Sequence, residues 1–416
     1  MTVNFSEIFA SSWTLGRLDM EKAHKRIRGF KFAARSSAVK SSGKLDLALI
    51  FSEVPARCAA VFTTNRVQAA PLIVSAPRIR KGFCQAVLIN SGNANACTGE
   101  AGLKDALRCS EMAAQAMGIS EELVAVSSTG IIGRPMPMEK LERHIPLLIP
   151  MLQSGQAKSV AEAMLTTDAF VKMATEEEEE TGGYGILGIA KGAGMIHPNM
   201  ATMLAYLLTD ARVDGEFLKE ALRLAVDRSF NCITVDGDTS TNDTVLLLAN
   251  GLAENSEIRK GEPGAEEFVD KLTAVCLELA KKIVRDGEGA TKLVRIQVDG
   301  AENEVAARTV ARSVATSNLL KAAFFGADPN WGRVIAAVGY SGVNVDPARI
   351  DIRFNDILLV ENGQGTGPAA KDQAHEVMMQ PEFTVTVDLH MGSGSAFYYT
   401  SDLTYDYVRI NAEYHT

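Results

Sequence analysis

A short connector near the middle of the chain constrains its fold more than any other stretch. Residues 191–204 have the sequence Lys-Gly-Ala-Gly-Met-Ile-His-Pro-Asn-Met-Ala-Thr-Met-Leu. Apolar runs at residues 184–190 and 203–209 predict a strand on each side of it. A glycine-rich bend that leads into a buried strand can hold a backbone carbonyl in a strained geometry. The bend ends in Ala201-Thr202, a small residue followed by a hydroxyl residue.

This pair of residues suggests a nucleophile that activates itself. If the bond between Ala201 and Thr202 were broken, Thr202 would carry a free α-amine. The pKa of such an amine is near ~8, so it can accept the proton of the residue's own hydroxyl group. One residue would then supply both nucleophile and base. From the residues alone, an ordinary strand threonine packed by its methyl group is the other interpretation.

Composition limits the class of protein. The chain has 416 residues, 46% of them hydrophobic, which is enough for a large core in two or three domains. Its net charge of −9 argues against nucleic acid or an anionic membrane as the main partner. We predict no transmembrane helix, no secretory signal in the first 17 residues and a cytoplasmic location. The six cysteines are expected to be reduced and buried, and the scattered histidines predict no metal site.

Hydrophobic periodicity predicts helices and strands in mixed order along both halves of the chain. The predicted strands are residues 29–34, 45–51, 59–64, 85–90, 123–127, 184–190, 203–209, 244–248, 293–298, 350–354, 357–360, 383–389 and 396–400. The predicted helices are residues 102–118, 138–144, 157–165, 216–230, 265–285 and 305–323. This order favours an α+β fold of layered sheets and helices over a doubly wound sheet. Motifs for dinucleotide or ATP binding are missing from the sequence.

Three polar loops are candidates for binding or catalysis. The loop at residues 91–99 is rich in glycine and amide side chains, which suits either a ligand or a tight turn. In a predicted turn after the strand 123–127, the Thr129 hydroxyl and the Gly130 N–H can stabilise one negatively charged oxygen. Glu288 lies between two glycines and can meet a substrate cation. An ordinary turn at 129–130 and a solvated carboxylate at 288 are the alternatives.

Two acidic stretches are given no catalytic role. The glutamates at residues 176–180 predict a solvated loop. Asp236, Asp238 and Asp243 lie close together, but they do not match the pattern of a calcium loop. For these aspartates we predict hydrogen bonds near the active centre rather than a metal ion.

Five motifs, spread over essentially the whole chain, resemble those of the bifunctional ornithine acetyltransferase/N-acetylglutamate synthase family of arginine biosynthesis. The connector at 191–204 resembles the self-cleavage signature of that family. The other four motifs lie at residues 90–99, 128–133, 166–168 and 411–416. The resemblance implies an acyltransferase fold of the self-processing type.

The resemblance also implies a set of site residues and two chains. Self-cleavage between Ala201 and Thr202 would give an α chain, residues 1–201, and a β chain, residues 202–416. Two of each would form a heterotetramer. Thr202 matches the nucleophile, and Thr129 with Gly130 matches the pair that stabilises the oxyanion. The positions that match substrate contacts are Thr166, Lys191, Thr202, Glu288, Asn411 and Thr416.

The implied reaction transfers acetyl from N²-acetyl-L-ornithine to L-glutamate, with acetyl-CoA as a possible second donor and no bound cofactor. By charge, Glu288 is expected to pair with the side-chain ammonium of ornithine and Lys191 with an α-carboxylate, although the reverse is open. Whether acetyl-CoA is used, and whether arginine regulates the enzyme, does not follow from the sequence. Two alternatives are an N-terminal nucleophile amidase or aminopeptidase with water as acceptor, and an uncleaved binding protein.

Overall fold

The computed structural model describes residues 27–177, 183–197 and 203–413. Its strands are β1 Phe30–Arg35, β2 Leu47–Phe62, β3 Phe83–Asn93, β4 Val124–Ile131, β5 Lys172–Glu177, β6 Gly185–Lys191, β7 Leu204–Thr209, β8 Ile233–Thr234, β9 Thr244–Ala249, β10 Leu293–Ala301, β11 Asp351–Phe354, β12 Ile357–Glu361, β13 Gln364–Gly365, β14 Glu382–Asp388 and β15 Gly394–Ser401. Its α-helices are α1 Ala70–Ile79, α2 Gly99–Met117, α3 Met138–His144, α4 Ala157–Met164, α5 Gly215–Asp227, α6 Ala265–Arg285, α7 Glu304–Ala315, α8 Asn318–Phe325, α9 Trp331–Gly339, α10 Pro368–Met378 and α11 Tyr405–Glu413.

The first sheet combines strands from both sides of the connector. Its order is β4-β3-β2-β9-β7-β6-β5, with β1 paired to one half of β2. Strand β6 is antiparallel to β7, and the register places Lys191 opposite Leu204. Every residue of β7 and of β9 is buried, because both strands are continuous apolar runs covered on two faces. The segments before and after residue 201 therefore share one sheet.

Helices α5 and α6 pack on one face of this sheet. The apolar stripe of α6 is in one core cluster with sheet residues Ile186, Leu207 and Val245. The cluster continues to Leu293 and Tyr399 of the second sheet. The opposite face of the first sheet is covered in part by α4, and β3 and β4 pack against α1 and α2. The helices thus form layers against the sheet.

The second sheet has the order β13-β12-β11-β14-β10-β15-β8. Its core is formed with helices α7 to α10. Parallel and antiparallel pairs both occur, since β10 is parallel to β14 and antiparallel to β15. The α+β prediction is confirmed: two mixed sheets with layered helices replace the single parallel sheet of a doubly wound fold.

Local signals predicted several elements well. The helix predicted at residues 265–285 has those bounds in the structure, because its apolar residues recur at helical spacing. Asp214 caps α5 by accepting hydrogen bonds from the N–H groups of Glu216 and Phe217. Every helix within the described ranges is too short or too polar to cross a membrane.

Other predictions were wrong in detail. The strands predicted at 45–51 and 59–64 are one strand, β2, whose pairing is irregular between Phe51 and Ala56. Helix α1 was not predicted, although Pro71 lies in its first turn, where no N–H is needed. The helix predicted at 305–323 is divided into α7 and α8, and the Ser317 side chain caps the second. Cys97 is exposed, while the other five cysteines are buried as expected.

The contact between β6 and α6 predicts a site where added volume is not tolerated. A Cβ atom at Gly188 would lie 2.6 Å from both Leu279 Cδ1 and Val275 Cγ1. We expect Gly188→Ala to lower the free energy of unfolding by about 1–3 kcal/mol, because those buried side chains must move. Urea denaturation measures the change. Gly339→Ala is the control, since its Cβ would meet nothing within 4 Å; equal effects of the two substitutions would contradict the prediction.

Candidate active site

The predicted oxyanion residues lie at the end of strand β4. Thr129 and Gly130 pair with Ser91 and Gly92 of β3, so they belong to the strand and not to the turn that we expected after it. Strand β4 is longer than predicted because β3 also continues past Asn90, and its extra residues pair with those of β4.

Only glycine fits at position 130. Its φ is +132°, and a Cβ atom there would lie 2.5 Å from the Gly92 carbonyl carbon and 2.6 Å from the Asn93 nitrogen. These are backbone atoms of β3, so they cannot move aside as a flexible side chain would. The backbone of Gly130 is thereby held against β3, next to the Thr129 hydroxyl.

The ammonium group of Lys191 joins two of the predicted site residues. Its Nζ lies 2.8 Å from Thr166 Oγ1 and 3.3 Å from Thr129 Oγ1. Lys191 is only 4% exposed, so these contacts are made away from bulk water. Because an ammonium group only donates, the Thr129 hydroxyl accepts here and keeps its own proton for another acceptor. Thr129, Thr166 and Lys191 therefore form one polar cluster.

The buried carboxylate of Asp168 contacts several groups in and around this cluster. Its carboxylate accepts hydrogen bonds from the backbone N–H groups of Thr166 (2.9 Å) and Gly192 (2.6 Å). It also lies 2.8 Å from Lys172 Nζ and 3.8 Å from Lys191 Nζ. Burial alone would raise the pKa of Asp168, but the two ammonium groups and the hydrogen bonds outweigh it and hold that pKa well below its usual range. The group is therefore a carboxylate at neutral pH.

A second buried carboxylate extends the network to the other half of the chain. Lys172 Nζ contacts Asp286 as well as Asp168, and the Lys172 side chain is fully buried. Asp286 also accepts from the backbone N–H of Ala169 at 3.1 Å. Burial raises the pKa of Asp286, and the neighbouring Lys172 opposes that shift. The chain of contacts Lys191–Asp168–Lys172–Asp286 ends two residues before Glu288.

Glu288 and Asn411 form the second part of the candidate site. Asn411 Nδ2 donates to Glu288 Oε2 at 2.9 Å, which links helix α11 to the loop after α6. The N–H of Glu288 donates to the carbonyl oxygen of Ala193 at 3.0 Å. A Cβ atom at Gly194 would lie 2.5 Å from the Glu288 carboxylate, so glycine leaves room for this group. The connector after Lys191 thus contacts Glu288 directly.

Asp236 holds the next part of the connector. Its two oxygens accept from the backbone N–H groups of Met195 (2.6 Å) and Ile196 (2.8 Å). Burial raises the pKa of Asp236 to about 6, although its backbone hydrogen bonds act in the opposite direction. Asp236 thus makes the kind of hydrogen bonds that we predicted for these aspartates, and its partners are backbone groups of the connector. The described ranges contain no group of three His, Cys, Asp or Glu side chains that could hold a metal ion.

The structure places most of the predicted site residues in these two linked groups. Thr129, Gly130, Thr166 and Lys191 are in the first, and Glu288 and Asn411 are in the second. Three predicted residues lie outside the described ranges. They are Ala201, Thr202 and Thr416.

Sequence reasoning missed the charges that connect the two groups. Lys172 and Asp286 were not singled out, and Asp168 was noted only as part of a motif. No local signal marks Lys172, because it is a single lysine in a strand and its second partner is 114 residues away. Asp286 directly follows a long helix, and a single aspartate at such a position gives no local signal of a functional role either.

Comparison with known proteins identifies a family to which this chain is similar. Residues 31–416 match the model of the ArgJ family. The arginine biosynthesis bifunctional protein ArgJ of Syntrophotalea carbinolica is 60% identical over 391 residues, which cover 94% of this chain and all of that protein. The protein of the same name from Geobacter sulfurreducens is 52% identical over 94% of this chain and all of its own length. A crystal structure of ornithine acetyltransferase from Mycobacterium tuberculosis, complexed with ornithine, is 37% identical and covers 42% of this chain and 93% of that one, with a TM-score of 0.39.

The buried charge network predicts a large cost for removing its central cation. Lys172→Met would leave Asp168 and Asp286 buried without the ammonium group between them. We expect the free energy of unfolding to fall by about 3–5 kcal/mol. Lys158→Met is the matched control, because Lys158 pairs with Glu162 at 3.9 Å on an exposed surface; its effect should stay within about 0.5 kcal/mol. Chemical denaturation of both variants checks this, and similar small losses would show that the network contributes little.

Proposed function

Since this chain belongs to the ArgJ family, we propose that it transfers an acetyl group from N²-acetyl-L-ornithine to L-glutamate through an acetyl ester on Thr202. Family membership makes it an enzyme of arginine biosynthesis, with acyltransferase activity. The curated relatives are named bifunctional, and we extend this to a second activity with acetyl-CoA as donor. The substrates are small molecules, and the reaction as proposed needs no bound cofactor or metal.

One observation carries the proposal more than any other. Lys191 Nζ contacts both Thr129 and Thr166, and in the sheet Lys191 pairs with Leu204, two residues after Thr202. Leu204 opens β7 at the strand end where the proposed oxyanion donors and substrate contacts meet, which supports a role there for the residue two positions earlier in the chain. A buried cluster of hydroxyl groups around an ammonium group supplies donors that suit a reaction in which negative charge develops on a carbonyl oxygen.

Self-cleavage is proposed as the step that creates the nucleophile. The Thr202 hydroxyl oxygen attacks the carbonyl carbon of Ala201. As the C–O bond forms, the C–N bond to Thr202 breaks, and the hydroxyl proton passes to the departing nitrogen. Water then hydrolyses the ester, which leaves a carboxylate on Ala201 and restores the Thr202 hydroxyl beside a free amine. The products are the chains 1–201 and 202–416.

Acetyl transfer then follows in two halves. The Thr202 amine accepts the hydroxyl proton while Oγ attacks the acetyl carbon of the donor. The C–N bond breaks, ornithine leaves with that proton, and an acetyl ester remains. The α-amine of glutamate attacks the ester carbon, and a C–N bond forms as the C–Oγ bond breaks. One amine proton passes through the Thr202 amine to Oγ, which restores the hydroxyl and releases N-acetylglutamate. Thr129 and Gly130 stabilise the oxyanion in both halves, a role in which one donor is typically worth about 10²–10³ in turnover.

The remaining site residues are proposed to bind the substrates. Glu288 offers a carboxylate to the side-chain ammonium of ornithine and is itself held by Asn411. Lys191 and Thr166 would bind an α-carboxylate, and Thr416 is proposed as a further substrate contact. We also propose a cytoplasmic heterotetramer of two α and two β chains.

Substitutions at position 202 test the nucleophile. Thr202→Ala should remain full length on a denaturing gel and lose acetyl transfer, because no hydroxyl is present. Thr202→Ser should still be cleaved and keep part of the activity, since it retains the hydroxyl. Thr309→Ala, on helix α7, is the control and should behave as the wild type. Two half-size bands from Thr202→Ala would contradict the cleavage mechanism.

A second experiment, on the wild-type protein, tests whether glutamate or water accepts the acetyl group. Incubation of the wild type with N²-acetylornithine should release ornithine rapidly only when glutamate is present, because glutamate removes the acetyl group from Thr202. Product analysis should show N-acetylglutamate. Ornithine and acetate release that is independent of glutamate would favour an amidase that uses water as acceptor.

A further inference from the structure

Two neighbouring buried residues just before strand β9, Asn242 and Asp243, each bind a different part of the candidate site. Asn242 Nδ2 donates to the carbonyl oxygens of Ala94 (2.7 Å) and Ser128 (2.8 Å). Asp243 Oδ1 accepts a hydrogen bond from the backbone N–H of Met203 at 3.0 Å. Neither side chain belongs to the residues that are proposed to touch substrate.

The atoms that these side chains bind are adjacent to the proposed chemistry. Ser128 directly precedes Thr129 in β4, and Met203 directly follows Thr202 in the chain. A second bond supports the Met203 contact, because the N–H of Thr244 donates to the Met203 carbonyl oxygen at 3.0 Å. Met203 is thus fixed through both its N–H and its carbonyl group.

We propose that Asn242 and Asp243 are positioning residues, which together fix the oxyanion donors at residues 129–130 relative to the nucleophile at residue 202. The inference rests on the proposed function, because it takes Thr202 as the nucleophile. Consecutive Cα atoms are ~3.8 Å apart, so the two side chains extend from one short piece of backbone. Hydrogen bonds therefore tie the end of β4 and the residue before β7 to the same two adjacent residues, Asn242 and Asp243. Such control matters, since a displacement of ~1 Å can cost about 10²-fold in rate.

The contact with Met203 requires one acceptor oxygen of Asp243, and it does not require a negative charge. Its Oδ2 is buried and has no hydrogen-bond partner within the described ranges. A buried carboxylate oxygen without a partner is costly, whereas a protonated carboxyl is much less so. Burial raises the pKa of Asp243 well above its usual range, against the smaller opposing effects of the Met203 N–H, the nearby Thr63 hydroxyl and the Lys191 charge. An asparagine side chain, which also has one carbonyl acceptor, should therefore replace it.

The test compares two substitutions at position 243. Asp243→Ala removes the acceptor, and we expect slower self-cleavage and a fall in kcat of about 10–100-fold per cleaved molecule. KM for N²-acetylornithine should change less than about threefold, because the proposed substrate contacts remain. Asp243→Asn keeps the acceptor, so its kcat should stay within about threefold of the wild type, with the same pH profile. Asn242→Ala should resemble Asp243→Ala.

Two further variants separate positioning from folding. Asp210 is also a buried aspartate that accepts a backbone N–H, from Gly185 at 2.9 Å, but it lies just beyond the other end of β7. Asp210→Ala should lower the thermal midpoint and leave kcat unchanged. Asp243→Leu keeps the branched arrangement of four side-chain heavy atoms and has no acceptor, so it replaces Asp243→Ala if that variant does not fold.

Each outcome has a distinct meaning. An Asp243→Ala enzyme with kcat within about threefold of an active wild type would overturn the positioning role alone. Loss of activity in Asp243→Asn as complete as in Asp243→Ala would assign the group to proton transfer and would also overturn it. A wild type that neither cleaves itself nor transfers acetyl would overturn the proposed function and, with it, this inference.

Discussion

The buried ammonium group of Lys172 is the contact on which the candidate site most depends. It lies between the carboxylates of Asp168 and Asp286, and all three side chains are almost completely removed from water. Asp168 in turn orders the backbone of Thr166 and of Gly192, the residue after Lys191. Because burying isolated charges is expensive, this arrangement is stable only when all of its members are present. The network therefore couples two distant parts of the chain.

That coupling has a consequence for a protein proposed to cleave itself. Asp168 and Lys172 precede residue 201, whereas Asp286 follows it. The first sheet is built in the same way, with β6 paired to β7 and β2 paired to β9 across the proposed cut. A break between residues 201 and 202 would leave these contacts intact. The proposed active site can therefore survive cleavage because its residues are held by sheet pairing and buried charge rather than by chain continuity.

The sequence predicted what local patterns determine. The helix at 265–285 follows from the spacing of apolar residues along its own length. Strand β2 was divided in the prediction because Ser52, Glu53 and Pro55 interrupt its apolar run, yet the backbone continues through them. The missed helix α1 contains two prolines, which normally argue against a helix interior. Pairing with neighbouring strands and packing decided these cases.

In the candidate site, too, some features could be predicted from the sequence and others could not. A family resemblance gave the residue list, and the structure brings six of those residues into two linked groups. The residues that hold them, Lys172, Asp286 and Asn242, could not be found from spacing, because each has a partner more than 100 residues away in sequence. Long-range hydrogen bonds and ion pairs between lone polar residues leave no periodic signal. Only the folded arrangement reveals them.

The central claim is that Thr202 carries the acetyl group, and mass analysis of the trapped enzyme tests it most directly. The cleaved protein would be mixed with N²-acetylornithine without glutamate, quenched in acid and analysed as intact chains and peptides. The account predicts one added acetyl group on the 202–416 chain, at its first residue, and its loss after a brief exposure to glutamate. An enzyme that makes N-acetylglutamate while its chains never gain that acetyl group, or gain it at another residue, would contradict the account.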